Sequence, residues 1–388
     1  MSNHKITRRD FLKYSGASLF LAGVPIPGFT KDKPPGNISV ILLEGGMDGL
    51  TAVPPIGDPN LITMRKTLTP KDFLKLNSFF GLHPSLPNFS RLMAKNNASV
   101  VHATSFPYIK RSHFEGQNLM EGGGLSPFAE KTGWLGRALE IANLPGKALS
   151  LEMPLILRGY KNNDNFYPAS IKKSNALSRF SSLITKIAMA HSKDEADIFT
   201  KLSKKSAQSS ITARDPVSLA KYAGKEMSKE NGPIASVIRI GQFDTHANQV
   251  SEDGYDRNGN HAKRLEIVDD VIAGYRKGLS DAWDRSIILT LTEFGRTVAV
   301  NGTRGTEHGY GSAGFLAGGT ISKSRVVSEW PGLSKNEQFE SRDLMATIDY
   351  RSVCAACIER SLGLDHDRIA SEIFFTPKLP RIYDYIFS

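Results

Sequence analysis

The sequence predicts an α/β protein, a three-layer α/β/α sandwich with a mostly parallel central sheet and a helical insertion. Three observations carry this expectation. Short β-branched apolar runs recur along the chain, helical patterns lie between them, and most runs are continuously apolar instead of alternating. Continuous runs belong to strands buried on both faces, and strands that alternate with helices build parallel sheets covered by helices. With 388 residues the chain is long enough for one large domain of this kind.

The first such run is Asn37–Leu43 (NISVILL), and further strands are expected at 98–103, 151–157, 235–240 and 286–291. Residues 315–317 and 325–327 offer shorter strands late in the chain. Helical spacing predicts helices over 86–94, 114–121, 134–142, 267–283 and 343–362. Two stretches break the rhythm. Residues 54–76 hold four prolines and little periodicity, so they read as a loop-rich segment over the sheet's edge. Residues 161–231 are rich in Lys, Ser and Asp with helical apolar spacing, and read as a helical insertion or cap with a loop at 203–210. The expected organisation is a signal over residues 1–30 followed by one domain over 31–388.

Bulk composition excludes several classes. Hydrophobic content of 40% and charged content of 23% are ordinary for a globular protein. No apolar stretch reaches the roughly 18–20 residues that span a bilayer, so no stable membrane span is expected. The net charge is +10, but the basic residues are scattered and not interleaved with aromatics. A solvated basic surface is expected, and no nucleic acid partner. Part of the charge sits at the amino terminus, where Thr7-Arg8-Arg9-Asp10-Phe11-Leu12-Lys13 has the form of a twin-arginine signal followed by a short, glycine-broken apolar region. That pattern predicts export of the folded protein by the twin-arginine translocase to the periplasm or another extracytoplasmic space. Cys354 and Cys357 lie in a helical run with no second pair of ligands, and read as small core residues.

Five short polar motifs carry the chemistry. They are Glu44–Gly49 (EGGMDG), Arg111-Ser112-His113-Phe114, Phe243-Asp244-Thr245-His246, Thr292-Glu293-Phe294-Gly295-Arg296-Thr297 and Gly305-Thr306-Glu307-His308-Gly309. Each follows a strand-like run, and ligands in open α/β sheets bind beyond the carboxyl ends of the strands. Each motif also has a plain structural reading. Asp48 is suited to a cation or to an ordinary Asp-Gly turn. Ser112 and Glu115 fit a helix capping box, while a helix start also favours a nucleophile. Arg111 is suited to clamping an anion bidentately, and His113 to acting as a ligand, a base or a packed surface residue. Asp244 and His246 offer two ligands of matching chemistry. Glu293 emerges from a buried strand and must be paired, with a cation or with an arginine such as Arg296. His308 stands in a glycine-rich loop. His83 and His102 read as structural.

At these residues the chain resembles a family of exported bacterial proteins, domain of unknown function 1501. The resemblance runs through GGMDGL, GLHPSL (81–86), RSHFEGQ, TGWLGR (132–137), FDTHANQ, LTEFGRT, GTEHG, WPGL (330–333) and DYR (349–351). The family is similar to the alkaline phosphatase and sulfatase superfamily, which implies an alkaline phosphatase-like domain with a metal site at the strand ends. By that analogy Asp48, Asp244, His246, Glu293 and His308 are metal ligands and Ser112 is the nucleophile. Phe294 replaces a metal-binding histidine of the superfamily pattern, which points to one divalent cation (Zn, Mg, Mn or Ca) in place of two. The expected function is a metal-dependent hydrolase of phosphate or sulfate esters, small or polymeric. Ser112 would attack, Arg111 or Arg296 would hold the anionic oxygens, and His113 or His246 would protonate the leaving group. The alternative is a non-catalytic binding protein on the same scaffold. A metal-free serine hydrolase is disfavoured because no G-x-S-x-G elbow is present.

Overall fold

β-Branched residues fill both faces of the central strands, and they place those strands at the middle of the sheet. The computed structural model describes residues 36–151, 153–165, 215–251 and 258–388. The expected signal at 1–30 and most of the expected insertion, 166–214, lie outside the described residues.

Strand β1 (Asn37–Leu43) is buried throughout and pairs in parallel with both β7 (Ala235–Ile240) and β8 (Ser286–Thr292). Successive side chains of a strand point to opposite faces, and the core obeys this. Ile38, Val40 and Leu42, with Val237, Leu289 and Leu291, enter one apolar core. Ile41 and Leu43, with Ile238, Ile240 and Ile288, enter a second core on the other face. Helices α5 (Trp134–Ala142) and α8 (Tyr350–Leu362) cover the first face, and α6 (Pro216–Met227) and α7 (Asn260–Leu279) cover the second. That is the three-layer α/β/α arrangement, made by strands that are mainly apolar on both faces.

The sheet has nine strands among the described residues. The remaining members are β4 (Ala98–Ser105), β5 (Ala148–Ser150), β6 (Asn163–Asn165), β9 (Ser312–Ala317), β10 (Val326–Val327) and β11 (Ile348–Asp349). The order is β10-β4-β9-β8-β1-β7-β5-β6, with β11 also on β4. A separate two-stranded ribbon joins β2 (Leu74–Lys75) to β3 (Gly81–Leu82). Every ladder of the main sheet is parallel except those of β9, which runs against β4 and β8. This inversion matters for the site. The loop at 305–309 precedes a strand and does not follow one, yet an antiparallel strand begins where its neighbours end. All five motifs therefore reach the same edge.

Two sequence expectations give way. The apolar run 151–157 is not a strand: β5 stops at Ser150, and Leu155–Leu157 form a short 3-10 turn whose Ile156 and Leu157 fill the core. Pro154 immediately before that turn lacks the N–H a central strand needs. The helix expected over 343–362 starts only at Tyr350, capped by Asp349, because Ile348 and Asp349 pair with β4. Cys354 and Cys357 are free and fully buried on α8, and burial pushes both thiols well up, so they are core residues.

Candidate metal centre at the strand ends

The site assembles from three strand ends and one hairpin. Beyond β8 the chain turns at Gly295, and Arg296 pairs with His308 across a short antiparallel bridge. The Gly309 and Thr297 amides donate to the Gly295 and Glu307 carbonyls and close that hairpin. Gly305 lets it dock: a Cβ there would lie 2.3 Å from the His246 carbonyl oxygen. Beyond β1, Gly45 has a φ of 115° and would put a Cβ 2.4 Å from the Asp244 nitrogen. Only a glycine fits so close an approach of two backbones at positive φ.

These contacts gather three imidazoles around one carboxylate. His246 Nε2 lies 3.0 Å and His308 Nε2 3.1 Å from Asp244 Oδ1, and the two Nε2 atoms are 2.9 Å apart. His113 Nε2 lies 3.4 Å from Asp244 Oδ2. Among the described residues His113, Asp244 and His308 form a group whose ligand atoms lie within 4.8 Å of one another.

The opposite ring nitrogens explain the orientation. His113 Nδ1 is 2.7 Å from Glu293 Oε1, His246 Nδ1 is 2.7 Å from Glu307 Oε2, and His308 Nδ1 is 2.8 Å from the Arg111 carbonyl oxygen. Carboxylates and carbonyls only accept, so each Nδ1 carries a proton and donates it. In neutral rings all three Nε2 lone pairs then face a carboxylate, which repels them unless a cation or a proton lies between. His113 Nε2 is moreover buried and, among the described residues, has no closer polar partner than Asp244 Oδ2 at 3.4 Å. A histidine whose far nitrogen is fixed by a carboxylate or carbonyl is the usual arrangement behind a metal ligand. Three imidazoles and one carboxylate also suit zinc and its borderline neighbours better than calcium or magnesium, which prefer oxygen ligands. The donor set fits a divalent cation.

Electrostatics support a charged carboxylate at the centre. Burial pushes the Asp244 carboxyl up, but Arg296, His113 and His246 outweigh it and hold it below the usual range. Burial likewise opposes the charge on Glu293, and the bonds from His113, the Gly45 amide and Gln117 more than offset it. Burial lowers His113, while Glu293 and Asp244 raise it further than burial lowers it. For His308, burial together with the cationic neighbours His113 and Arg296 outweighs the Arg111 carbonyl and Asp244, and favours the neutral ring.

The remaining expected residues have these surroundings. Asp48 is 1% exposed and caps α1 (Gly49–Ala52) through the Leu50 and Thr51 amides. It forms an ion pair with Arg65 and accepts from Gln249, so its oxygens are engaged within the fold. Gln249 continues this buried network by accepting from Thr245 at 2.9 Å and Thr306 at 2.7 Å. Glu293 is not paired with Arg296; it accepts from His113, the Gly45 amide and Gln117. Arg296 is fully buried and donates to Asp244 at 2.7 Å, to the Gly45 carbonyl and to Thr306. The Arg111 guanidinium is held by Asp343 and Glu340. Ser112 occupies the N-cap of α4 (His113–Gly122) without a side-chain bond to the helix, and Glu115 accepts from Tyr108 instead of closing a capping box. The Tyr108 hydroxyl meets both the backbone and the side chain of Ser112. Phe294 is buried, with its ring centroid 4.8 Å from His113 and 5.0 Å from His308.

Two contributors escaped the sequence reading. Glu307 adjoins His308 but orients His246. Gln117 stands one helical turn after His113, where residues i and i+4 share a face, and both bond Glu293. His102 and His83 are structural: the His102 ring stacks on Phe80, and burial lowers its pKa to about 4, while His83 accepts from the Ser85 amide.

Comparison with known proteins places the chain in a family. Residues 98–372 match the family described as "Protein of unknown function (DUF1501)", and the chain belongs to it. No curated protein matches the chain. Among solved structures it is similar to the C-terminal periplasmic domain of EcEptC from Escherichia coli in complex with Zn, at 10% identity and a TM-score of 0.43, covering 90% of this chain and 89% of that one. It is also similar to Ps i-CgsB in complex with k-i-k-neocarrahexaose, at 10% identity and a TM-score of 0.41, covering 85% and 72%. A protein in the alkaline phosphatase superfamily from Vibrio parahaemolyticus gives 10% identity and a TM-score of 0.39, covering 76% and 63%.

Proposed function

We propose that this member of the DUF1501 family is an exported, metal-dependent hydrolase of phosphate or sulfate esters. The observation that carries the reading is the convergence of three Nε2 atoms on Asp244, each with its Nδ1 proton already committed. His113, His246, His308 and Asp244 hold one divalent cation, with Glu293, Glu307 and the Arg111 carbonyl orienting the rings. A cation bound there supplies a Lewis acid that polarises an ester oxygen and lowers the pKa of a nearby hydroxyl. Phe294 packs beside the contacting rings of His113 and His308 and offers no ligand atom there, which supports one ion over two.

Ser112 is the nucleophile in this reading, held at the start of α4 by the Tyr108 hydroxyl and next in the chain to His113. Its hydroxyl oxygen forms the new bond to phosphorus or sulfur as the ester oxygen leaves with a proton. His246, at 42% side-chain exposure the most open of the three imidazoles, has both ring nitrogens engaged in this reading, Nε2 on the cation and Nδ1 on Glu307, so it does not carry that proton. Neither expected arginine holds the substrate. Arg296 braces Asp244, and Arg111 is held by Glu340 and Asp343.

The test is turnover of a panel of aryl phosphates and sulfates with Zn²⁺ or Mn²⁺ added, wild type against Ser112→Ala. Metal-dependent hydrolysis lost in the variant supports the assignment. Equal rates in the two proteins remove Ser112 from it. A second reading, a non-catalytic binding protein on the same crevice, is favoured by the committed arginines and by Phe294. It gains if metal-loaded wild type is inert across the panel. Export rests on Arg8 and Arg9; replacing both by Lys should trap a reporter fusion in the cytoplasm. Among the described residues no helix is long and apolar enough to cross a membrane.

A further inference from the structure

Three left-handed non-glycine residues meet around Arg111. Arg111 has a φ of 60°, and Glu340 and Ser341, in the turn it contacts, have φ of 53° and 52°. Non-glycine residues rarely adopt this left-handed conformation, and such outliers persist only where surrounding contacts enforce them. The enforcing contacts are visible. Arg111 Nε donates to Asp343 Oδ2 at 2.8 Å, and the guanidinium also bonds Glu340. Its plane lies over Phe339, 5.7 Å from the ring centroid. The Asp343 side chain is fully buried. The turn itself is tied to the metal hairpin, because Val298 donates to the Arg342 carbonyl and Thr297 bridges Asp343.

The left-handed backbone has one consequence at the metal centre: the Arg111 carbonyl meets His308 Nδ1 at 2.8 Å. That bond selects which nitrogen of His308 carries the proton, and so whether Nε2 is free to bind a cation. His113 follows two residues later on α4.

We infer that Arg111 is a positioning residue of the metal centre, gripped by Asp343 and Glu340 so that its backbone sets the tautomer and aim of His308. The inference rests on the metal centre proposed above and replaces a substrate-clamping role for this arginine.

The test compares wild type with Arg111→Gly, Asp343→Asn and Arg111→Lys, each purified metal-free and titrated with Co²⁺ against a chromogenic chelator. Arg111→Gly tolerates the left-handed backbone but loses the grip, and is expected to weaken Co²⁺ binding about 10- to 100-fold, the usual cost of losing a partner behind a ligand. Its visible Co²⁺ spectrum should shift, which a purely structural residue would not cause in a protein of unchanged near-UV circular dichroism. Asp343→Asn should act in the same direction, and Arg111→Lys, which keeps the charge without the fork, should recover part of the affinity. If Asp343→Asn does not fold, Arg111→Gly decides. Wild-type affinity and spectrum in Arg111→Gly would overturn the inference and leave the metal centre standing. Absence of Co²⁺ binding in wild type would overturn the metal centre itself, and the inference with it.

Discussion

Asp48 and Asp244 start from the same kind of sequence, an aspartate a few residues beyond a buried parallel strand, and end in opposite states. Asp48 is 1% exposed and paired with an equally buried Arg65. Asp244 keeps 41% of its side chain exposed, with three imidazoles around it. The difference lies in what reaches each carboxylate. Arg65 brings a permanent charge together with bonds to the Thr297 and Val298 carbonyls, so the first strand end is closed as structure. Asp244 also meets a guanidinium, Arg296 at 2.7 Å, but its other neighbours are imidazoles whose Nδ1 protons are committed elsewhere, and the carboxylate stays exposed and open to a cation. Both carboxylates thus meet a guanidinium. Asp48 is a girder because it is buried with every other contact a donor of the fold, and Asp244 is suited to a ligand's role because it stays exposed with three imidazole Nε2 atoms around it.

The contrast can be broken from either side, and the largest effect is expected at the girder. Asp48→Ala leaves Arg65 as an uncompensated buried charge, which typically costs about 3–5 kcal/mol. Urea unfolding of the metal-free protein should show that loss, or no folded protein at all. A loss below about 1 kcal/mol would mean the pair is not a structural keystone.

Asp244→Asn should do the reverse. Stoichiometric metal is expected to be lost, read by elemental analysis after dialysis. The unfolding midpoint of the metal-free protein should move far less than in Asp48→Ala, because Arg296 retains the Gly45 and Thr306 acceptors. Full metal occupancy in this variant would remove Asp244 from the centre.

Glu293→Gln is expected to sit between the two. It removes the charge that fixes the His113 proton on Nδ1, and should weaken metal binding about 10- to 100-fold without abolishing it. An unchanged dissociation constant would show that His113 needs no such partner.

The smallest effect is in pH. Burial opposes ionisation of Asp48, and Arg65, His261, Thr51 and Gln249 outweigh it, so in the folded protein the carboxyl is held below the usual aspartate range. A depressed carboxylate contributes stability above its unfolded pKa that is lost as pH falls towards the folded one. Stability of the metal-free protein should therefore fall as acid is added below about pH 4. Asp48→Asn, if it folds, should lack this part of the slope. An identical acid limb in both proteins would assign the effect elsewhere.

These contrasts also mark what the sequence could reveal. Continuous apolar runs located β1, β7 and β8, because burial on both faces favours apolar residues along most of each strand. The helix at Trp134–Ala142 carried its own periodicity, and the five motifs were legible as polar interruptions after apolar runs. Pairing was not. Arg65 lies in a proline-rich stretch without periodicity, and nothing local announces that it returns to Asp48. Glu293 was legible as a charge needing a partner, yet His113 comes from a different strand end 180 residues away. Inversion of β9 is likewise a tertiary fact, since a continuously apolar strand reads the same in both directions. Residue types and strand ends were encoded locally; who faces whom was encoded by the fold.

Anomalous diffraction from crystals grown with zinc tests the central claim most directly. The account predicts one strong peak at about 2.0–2.1 Å from Nε2 of His246 and His308, in contact with Asp244 and within reach of His113 Nε2, and no peak at Asp48. Saturating zinc with no density among those nitrogens, or a peak on Asp48 instead, would contradict it.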